Sequence, residues 1–171
     1  NANGDVMIRW LPDMLYFDMS HSPAGQMGLY PTSSNYNGMT VYPVMSFQQF
    51  IANVVFPYAH PGAQNANILE QKNLPDLANR FVKASQAILG GMTFSYDAGL
   101  IKAAYSQNGN QYTELLVSVI ENWGAMGAGM WGNKETYLIR GLEQEYEKWL
   151  PILAVIHSSV QINRKWFSGE V

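Results

Sequence analysis

Residues 100–123 read LIKAAYSQNGNQYTELLVSVIENW, and this stretch decides the fold. Its centre, Gln107-Asn108-Gly109-Asn110, is a strong hairpin signal, because Asn-Gly readily adopts the positive φ angles of a two-residue turn. On both sides, at Leu100–Ser106 and Gln111–Trp123, β-forming residues predict extended chain, and apolar side chains share one face of the second segment. The sequence therefore predicts a long antiparallel hairpin within a β-meander.

Further strands are expected on both sides of this hairpin. The residues that favour them are β-branched or aromatic and are bounded by Gly, Pro, Asn or Asp. They form the segments Val6–Met19 (interrupted at Pro12 and Asp13), Met39–Pro43, Asn67–Gln71, Met92–Tyr96 and Glu135–Arg140. Proline has no N–H to donate to a ladder, so we expect a bend or a sheet edge at Pro12.

Three helices are predicted. The first begins after the N-cap Ser46, with Gln49 three residues later in the spacing of a capping box, and we expect Pro57 and Pro61-Gly62 to end it. The second runs from Pro75 to Leu89, with proline at its first position and Gly90-Gly91 after it. The third closes the domain between about Leu142 and Ser159, with Pro151 inside it; its expected apolar face is Tyr146, Trp149, Leu150, Leu153, Ile156 and Val160.

Length and composition indicate one α+β domain over residues 1–171, an antiparallel sheet meander packed against two or three helices. Charged residues make up 13 %, about half the usual share, and the net charge is −3, so nothing favours nucleic-acid binding. There is no cysteine and no apolar run long enough for a membrane span. The chain begins at Asn1, which fits a processed mature chain or a fragment, and we expect an extracytoplasmic protein.

The order strands, helix, strand, helix, antiparallel meander and closing helix resembles the PsbP/DcrB-like α/β sandwich. The residues that carry the resemblance are Met39–Pro43 leading into the helix at Phe47, the hairpin of Ile101–Ser106 with Gln111–Asn122, and the ending from Trp149 to Trp166. The helix after Pro75 and the glycine-rich stretch Gly124–Gly132 depart from the simplest members. The resemblance implies a non-enzymatic accessory or binding role.

Residues able to carry chemistry are scattered. The histidines His21, His60 and His157 do not have a metal-ligand spacing, and there is no nucleophile-elbow motif, so we expect no metal, no cofactor and no nucleophilic catalysis. We interpret His60 as a loop residue and His157 as a packing residue. One alternative remains: a small hydrolase acting on glycans, with two of the carboxylates Asp13, Asp18 and Asp97 across a cleft.

Aromatic and methionine-rich loops are the strongest binding signal. Such side chains adapt to protein surfaces and are frequent at interface hot spots. The candidate partner-binding residues are Trp123, Met126, Met130, Trp131, Tyr30 and Tyr36. Our leading hypothesis is a non-catalytic extracytoplasmic module that contacts a protein partner or a second copy of itself. A subunit of a polymeric surface structure is a further alternative.

Overall fold

The computed structural model describes residues 4–88, 94–124 and 128–160. These residues contain an eight-stranded sheet. Its strands are β1 (Met7–Trp10), β2 (Leu15–Phe17), β3 (Asn35–Tyr36), β4 (Met39–Val41), β5 (Gln64–Asn73), β6 (Ser95–Gln107), β7 (Asn110–Asn122) and β8 (Met130–Leu142). Seven of them have the order β3-β4-β2-β8-β7-β6-β5, and β1 pairs with β8 on the same side as β2. All the pairs are antiparallel except β2 with β4, so the predicted α+β class is confirmed.

The predicted hairpin forms the centre of this sheet. β6 and β7 pair without interruption from Ser95–Asn122 to Gln107–Asn110, and the turn residues Asn108 and Gly109 have φ angles of 53° and 81°. The two extended segments expected before the turn are a single strand, because the chain runs through Asp97 and Gly99 without a bend. Met92, Thr93 and the glycine pair at 90–91 lie outside the described residues.

β8 is longer than the sequence predicted. It begins at Met130 rather than Glu135, so the last part of the glycine-rich stretch belongs to the sheet. Trp131 lies in the strand with a fully buried side chain, which packs against Tyr16 and Phe50. Glycine content therefore misled the prediction, because Gly132 is a strand residue here rather than part of a loop.

The helices are α1 (Pro23–Gln26), α2 (Phe47–Phe50), α3 (Phe56–Ala59), α4 (Pro75–Ile88) and α5 (Tyr146–Ser159), and a π-helical turn, Ile51–Val55, joins α2 to α3. The Ser46–Gln49 capping box is confirmed. Pro57 was predicted to help end the first helix, but it does not. It lies in the first turn of α3, where the missing N–H of proline disturbs the helix least.

Helices cover both faces of the sheet. The segment 47–59, which we call the π-containing helix, lies on one face, where Phe47, Phe50, Ile51 and Val55 pack on core residues of β6, β7 and β8. On the other face, α4 contacts β6, and α5 contacts β8 and β1. No helix within the described ranges is both long enough and apolar enough to cross a membrane.

The apolar face predicted for α5 is only partly buried. Tyr146 and Leu153 are buried, and Trp149 and Leu150 pack at the edge of a small cluster with Val6 and Ile139. Ile156 and Val160, in contrast, are 46 % and 58 % exposed. The helix meets the sheet mainly at β8 and the short edge strand β1, so its last turns extend past the surface that would cover them.

Candidate functional site

An apolar pocket of about 230 Å³ lies between the π-containing helix and the start of the sheet. It opens to the surface beside the segment that joins β1 to β2. Its lining is almost entirely apolar, and the two polar side chains, Asn133 and Thr136, lie at the floor. The lining residues are Leu11, Pro12, Met14, Tyr16, Phe50, Val54, Val55, Tyr58, Asn133 and Thr136. Concave apolar sites with a few fixed polar groups are typical of ligand binding.

A β-bulge in β8 creates the polar floor. Val117 pairs with Tyr137 and Val119 with Lys134, so two residues of β8, Glu135 and Thr136, lie opposite one residue of β7. Glu135 takes a positive φ of 45°, which accommodates the extra residue. Side chains of a regular strand alternate, and the extra residue therefore turns Thr136 toward the same face as Asn133.

Asn133 holds the rim of the pocket in place. Its Oδ1 accepts a hydrogen bond from the Met14 N–H at 3.0 Å, and its Nδ2 donates to the Pro12 carbonyl at 3.1 Å and to Thr136 Oγ1 at 3.0 Å. Gly132 permits this approach, since a Cβ there would lie 2.6 Å from the Met14 carbonyl oxygen. The pocket is therefore a fixed feature rather than a gap beneath a loose loop.

The opposite wall comes from the π-containing helix. Val54 and Val55 belong to the π-helical turn, in which the Phe56 N–H bonds to the Ile51 carbonyl five residues earlier. Such turns widen a helix locally and are frequent at functional sites. The turn thus presents two adjacent valines to the pocket.

The pocket walls carry no charge near neutral pH. Burial, together with the neighbouring Tyr42, raises the pKa of Tyr16 to about 12, so its hydroxyl stays protonated. Asn133 and Thr136 are neutral side chains, and the remaining lining residues are apolar apart from the exposed Tyr58. The arrangement can hold an apolar group.

A second feature, which the sequence analysis missed, lies at the far end of the same helix. His60 follows the last helical residue, Ala59, as its interpretation as a loop residue implies, but its side chain is buried, and its Nε2 lies 2.6 Å from Oε2 of the buried Glu114. The Tyr105 hydroxyl is 3.2 Å from His60 Nδ1, and burial and the Glu114 charge raise the pKa of Tyr105 above its usual range. A polar residue at an inward position of β7 was the available signal, since Glu114 shares a face with the core residue Leu116.

The three carboxylates considered for hydrolysis have structural contacts. Asp97 accepts a hydrogen bond from the Phe47 N–H at 2.9 Å and so caps the π-containing helix. Asp18 accepts from the Val44 N–H and from Ser20, and Asp13 lies 3.4 Å from Lys134 Nζ. Asp18 faces a polar cleft with His21, but neither Asp13 nor Asp97 is among the described residues that line it.

Metal binding has no support in the described ranges. They contain no cluster of three or more His, Asp or Glu side chains suited to a metal ion. His157 packs between aromatic rings, with centroids 4.1 Å from Tyr137 and 5.9 Å from Trp10, in line with its interpretation as a packing residue.

The candidate partner-binding residues separate into several environments. Trp131 is 0 % exposed and so does not reach the surface, while Trp123 is half-buried, stacks on Phe94 and donates its indole N–H to Glu121. Tyr30 and Tyr36 contact each other edge to face, with centroids 5.1 Å apart.

Met130 and Tyr36 both lie next to Phe17 of β2. Met130 pairs with Phe17 in the sheet, and the Phe17 ring contacts Tyr36. Met126 lies outside the described residues. Of the six predicted residues, the structure thus groups Tyr30, Tyr36 and Met130 around β2, and leaves Trp131 to the core.

Comparison of the chain with protein-family models, with curated proteins and with solved structures found no match.

Proposed function

We propose that this protein is a non-catalytic binding module whose pocket between the π-containing helix and β8 takes up the apolar part of a ligand. One observation carries the proposal: an open apolar pocket is held in shape by the Asn133 hydrogen bonds to the rim. A site whose shape is fixed before binding loses little conformational freedom when the ligand enters.

The volume sets the size of the bound group. An apolar protein cavity of roughly 150 Å³ binds benzene, so a pocket of about 230 Å³ suits an aromatic ring with a short substituent or a medium-length aliphatic chain. Met14 at the mouth adds an adaptable side chain, because its unbranched thioether adjusts to differently shaped ligands.

Filling the pocket tests the proposal. Val54→Phe places a ring in the pocket from the π-helical turn, and Val155→Phe makes the same change on the exposed side of α5. Toluene is titrated into each protein and followed by methyl NMR shifts. We expect the Val54 variant to lose toluene binding and the Val155 variant to keep it. If toluene shifts the methyl signals of the Val54 variant as much as those of the wild-type protein, the proposal is wrong.

The surface around β2 favours a second candidate function, contact with a protein partner or a second copy. Met27 and Leu29 are 75 % and 62 % exposed next to the half-buried Tyr30. Replacing both Met27 and Leu29 with serine should reduce self-association in size-exclusion chromatography with light scattering. A wild-type protein that stays monomeric at high concentration would remove self-association from this candidate.

We also propose that the fold is a PsbP/DcrB-like sandwich and that the protein acts outside the cytoplasm. The order of the elements and the helices on both sheet faces support the first proposal. The low share of charged residues supports the second.

A further inference from the structure

A positively charged side chain, that of Arg9, lies near the edge of the apolar pocket. Arg9 is on β1, on the same side of the strand as the sheet face that the π-containing helix covers, because its neighbours Ile8 and Trp10 contact the opposite layer. Its guanidinium carbon is 5.4 Å from the ring centroid of Tyr58, and Tyr58 lines the pocket. One aromatic ring therefore separates this positive charge from the apolar walls.

Arg9 keeps this charge available. Within the described ranges, the ion pairs are His60–Glu114, Lys102–Glu147 and Lys134–Asp13, and none includes Arg9. The other arginine on this face, Arg140, is used inside the protein, since its guanidinium donates to Gln107 and to the Gly4 carbonyl.

The negative charge of Asp13, the one acidic residue in the segment that joins β1 to β2, is offset by a lysine. Asp13 lies between the pocket residues Pro12 and Met14, and its carboxylate faces Lys134 Nζ at 3.4 Å. Since Lys134 offsets the charge of Asp13, the charge of Arg9 beside Tyr58 favours an anion over a cation near the mouth.

We infer that the ligand is a small amphiphilic carboxylate, whose aliphatic chain fills the pocket and whose carboxylate meets Arg9; this inference rests on the proposed function. Arginine matches a carboxylate with two parallel N–H donors, and the Tyr58 ring stacked on its guanidinium limits the directions in which it can point. Scaling from benzene in roughly 150 Å³, the 230 Å³ pocket suits a chain of about eight carbons.

Isothermal titration with octanoate, 1-octanol and octylamine tests this inference, because the three probes share one chain and differ in charge. We expect the wild-type protein to bind octanoate about tenfold more tightly than octanol, as for one partly exposed charge-assisted contact, and octylamine most weakly. Added salt should reduce the preference for octanoate.

Variants separate the head group from the chain. Arg9→Gln should lower octanoate affinity about tenfold and leave octanol affinity unchanged, Arg9→Lys should restore part of it, and Arg80→Gln on the exposed side of α4 should change neither. If Arg9→Gln does not fold, Arg9→Lys and the salt series on the wild-type protein decide the question.

The outcomes are distinct. Equal wild-type affinity for octanoate and octanol would overturn the carboxylate assignment and leave the pocket proposal standing. An equal loss of both ligands in Arg9→Gln would show that Arg9 acts on the structure rather than on the head group. No binding of any of the three probes would overturn the pocket as a binding site, and this inference with it.

Discussion

The π-containing helix covers two regions that differ in both chemistry and packing. At its C-terminal end, His60, Glu114 and Tyr105 fill the space against the sheet with polar atoms in mutual contact. Along its side, Val54 and Val55 face an open apolar pocket with only Asn133 and Thr136 at the floor. One segment of helix thus borders both a closed polar cluster and an open apolar site.

The contrast shows how each region is held. Buried polar groups are costly unless they are paired, so the contacts of His60 with Glu114 and Tyr105 favour this position of the helix end against the sheet. The pocket stays open for another reason: Asn133 binds the backbone of the rim segment and keeps it from closing over the valines. We therefore expect stability to depend on the first region and binding on the second.

The largest effect is expected at the polar cluster. His60→Ala removes one partner of a fully buried pair and leaves the Glu114 carboxylate without it, which typically costs about 3–5 kcal/mol. The free energy of unfolding from urea titration measures this loss. Glu147→Gln breaks the exposed pair with Lys102 and should cost less than about 1 kcal/mol.

A double variant sharpens this result. Changing both His60 and Glu114 to leucine removes the two buried partners together, and such replacements are often close to neutral. If His60→Ala and Glu147→Gln cost the same, the polar cluster does not anchor the helix and the contrast between the regions fails.

The next effect is expected at the pocket floor. Asn133→Ala leaves the Met14 N–H and the Pro12 carbonyl without their side-chain partner, which should cost about 2 kcal/mol. Affinity for toluene should fall as well, because the rim is no longer held. Asn122→Ala, which removes a hydrogen bond to the Gly124 N–H at the exposed end of β7, is the control that should leave toluene binding intact. Unchanged affinity in the Asn133 variant would show that the rim holds its position without this network.

The sequence predicted local features better than these two regions. The Asn108–Gly109 turn and the Ser46–Gln49 capping box depend on residues a few positions apart, and both are confirmed. The pocket depends on a bulge at Glu135 and on contacts between Asn133 and residues about 120 positions earlier, which no local pattern encodes. Trp131 illustrates the same limit, since a tryptophan near glycines gave no indication that its strand would start at Met130.

The burial of His60 was not predicted, for a related reason. Pro61-Gly62 after it indicated a loop, and the residue does end a helix. Its burial follows from Glu114 and Tyr105 in paired strands, so only the tertiary fold shows that the histidine has partners.

A smaller effect is expected at the start of the helix that the two regions share. Asp97→Ala removes the acceptor of the Phe47 N–H, and losing such a cap costs about 1 kcal/mol. Asp97→Asn keeps an oxygen acceptor and should lose only part of this stability in the same urea titration. A loss in Asp97→Ala that is confined to ligand binding, with stability unchanged, would instead revive a chemical role for this carboxylate.

The smallest effect concerns Asp18, a partly exposed carboxylate outside both regions. Burial acts to raise its pKa, but hydrogen bonds from Ser20 and the Val44 N–H outweigh burial and hold the pKa below its usual value of 3.8. The charged form is therefore favoured by folding, so its contribution is complete above about pH 4 and is lost as the pH falls through the folded-state pKa. Asp18→Asn should reduce the loss of thermal stability between pH 5 and about pH 3 by under about 1 kcal/mol, given its exposure to solvent. Identical acid profiles for wild type and variant would show that these hydrogen bonds do not favour the charged form of the Asp18 carboxylate.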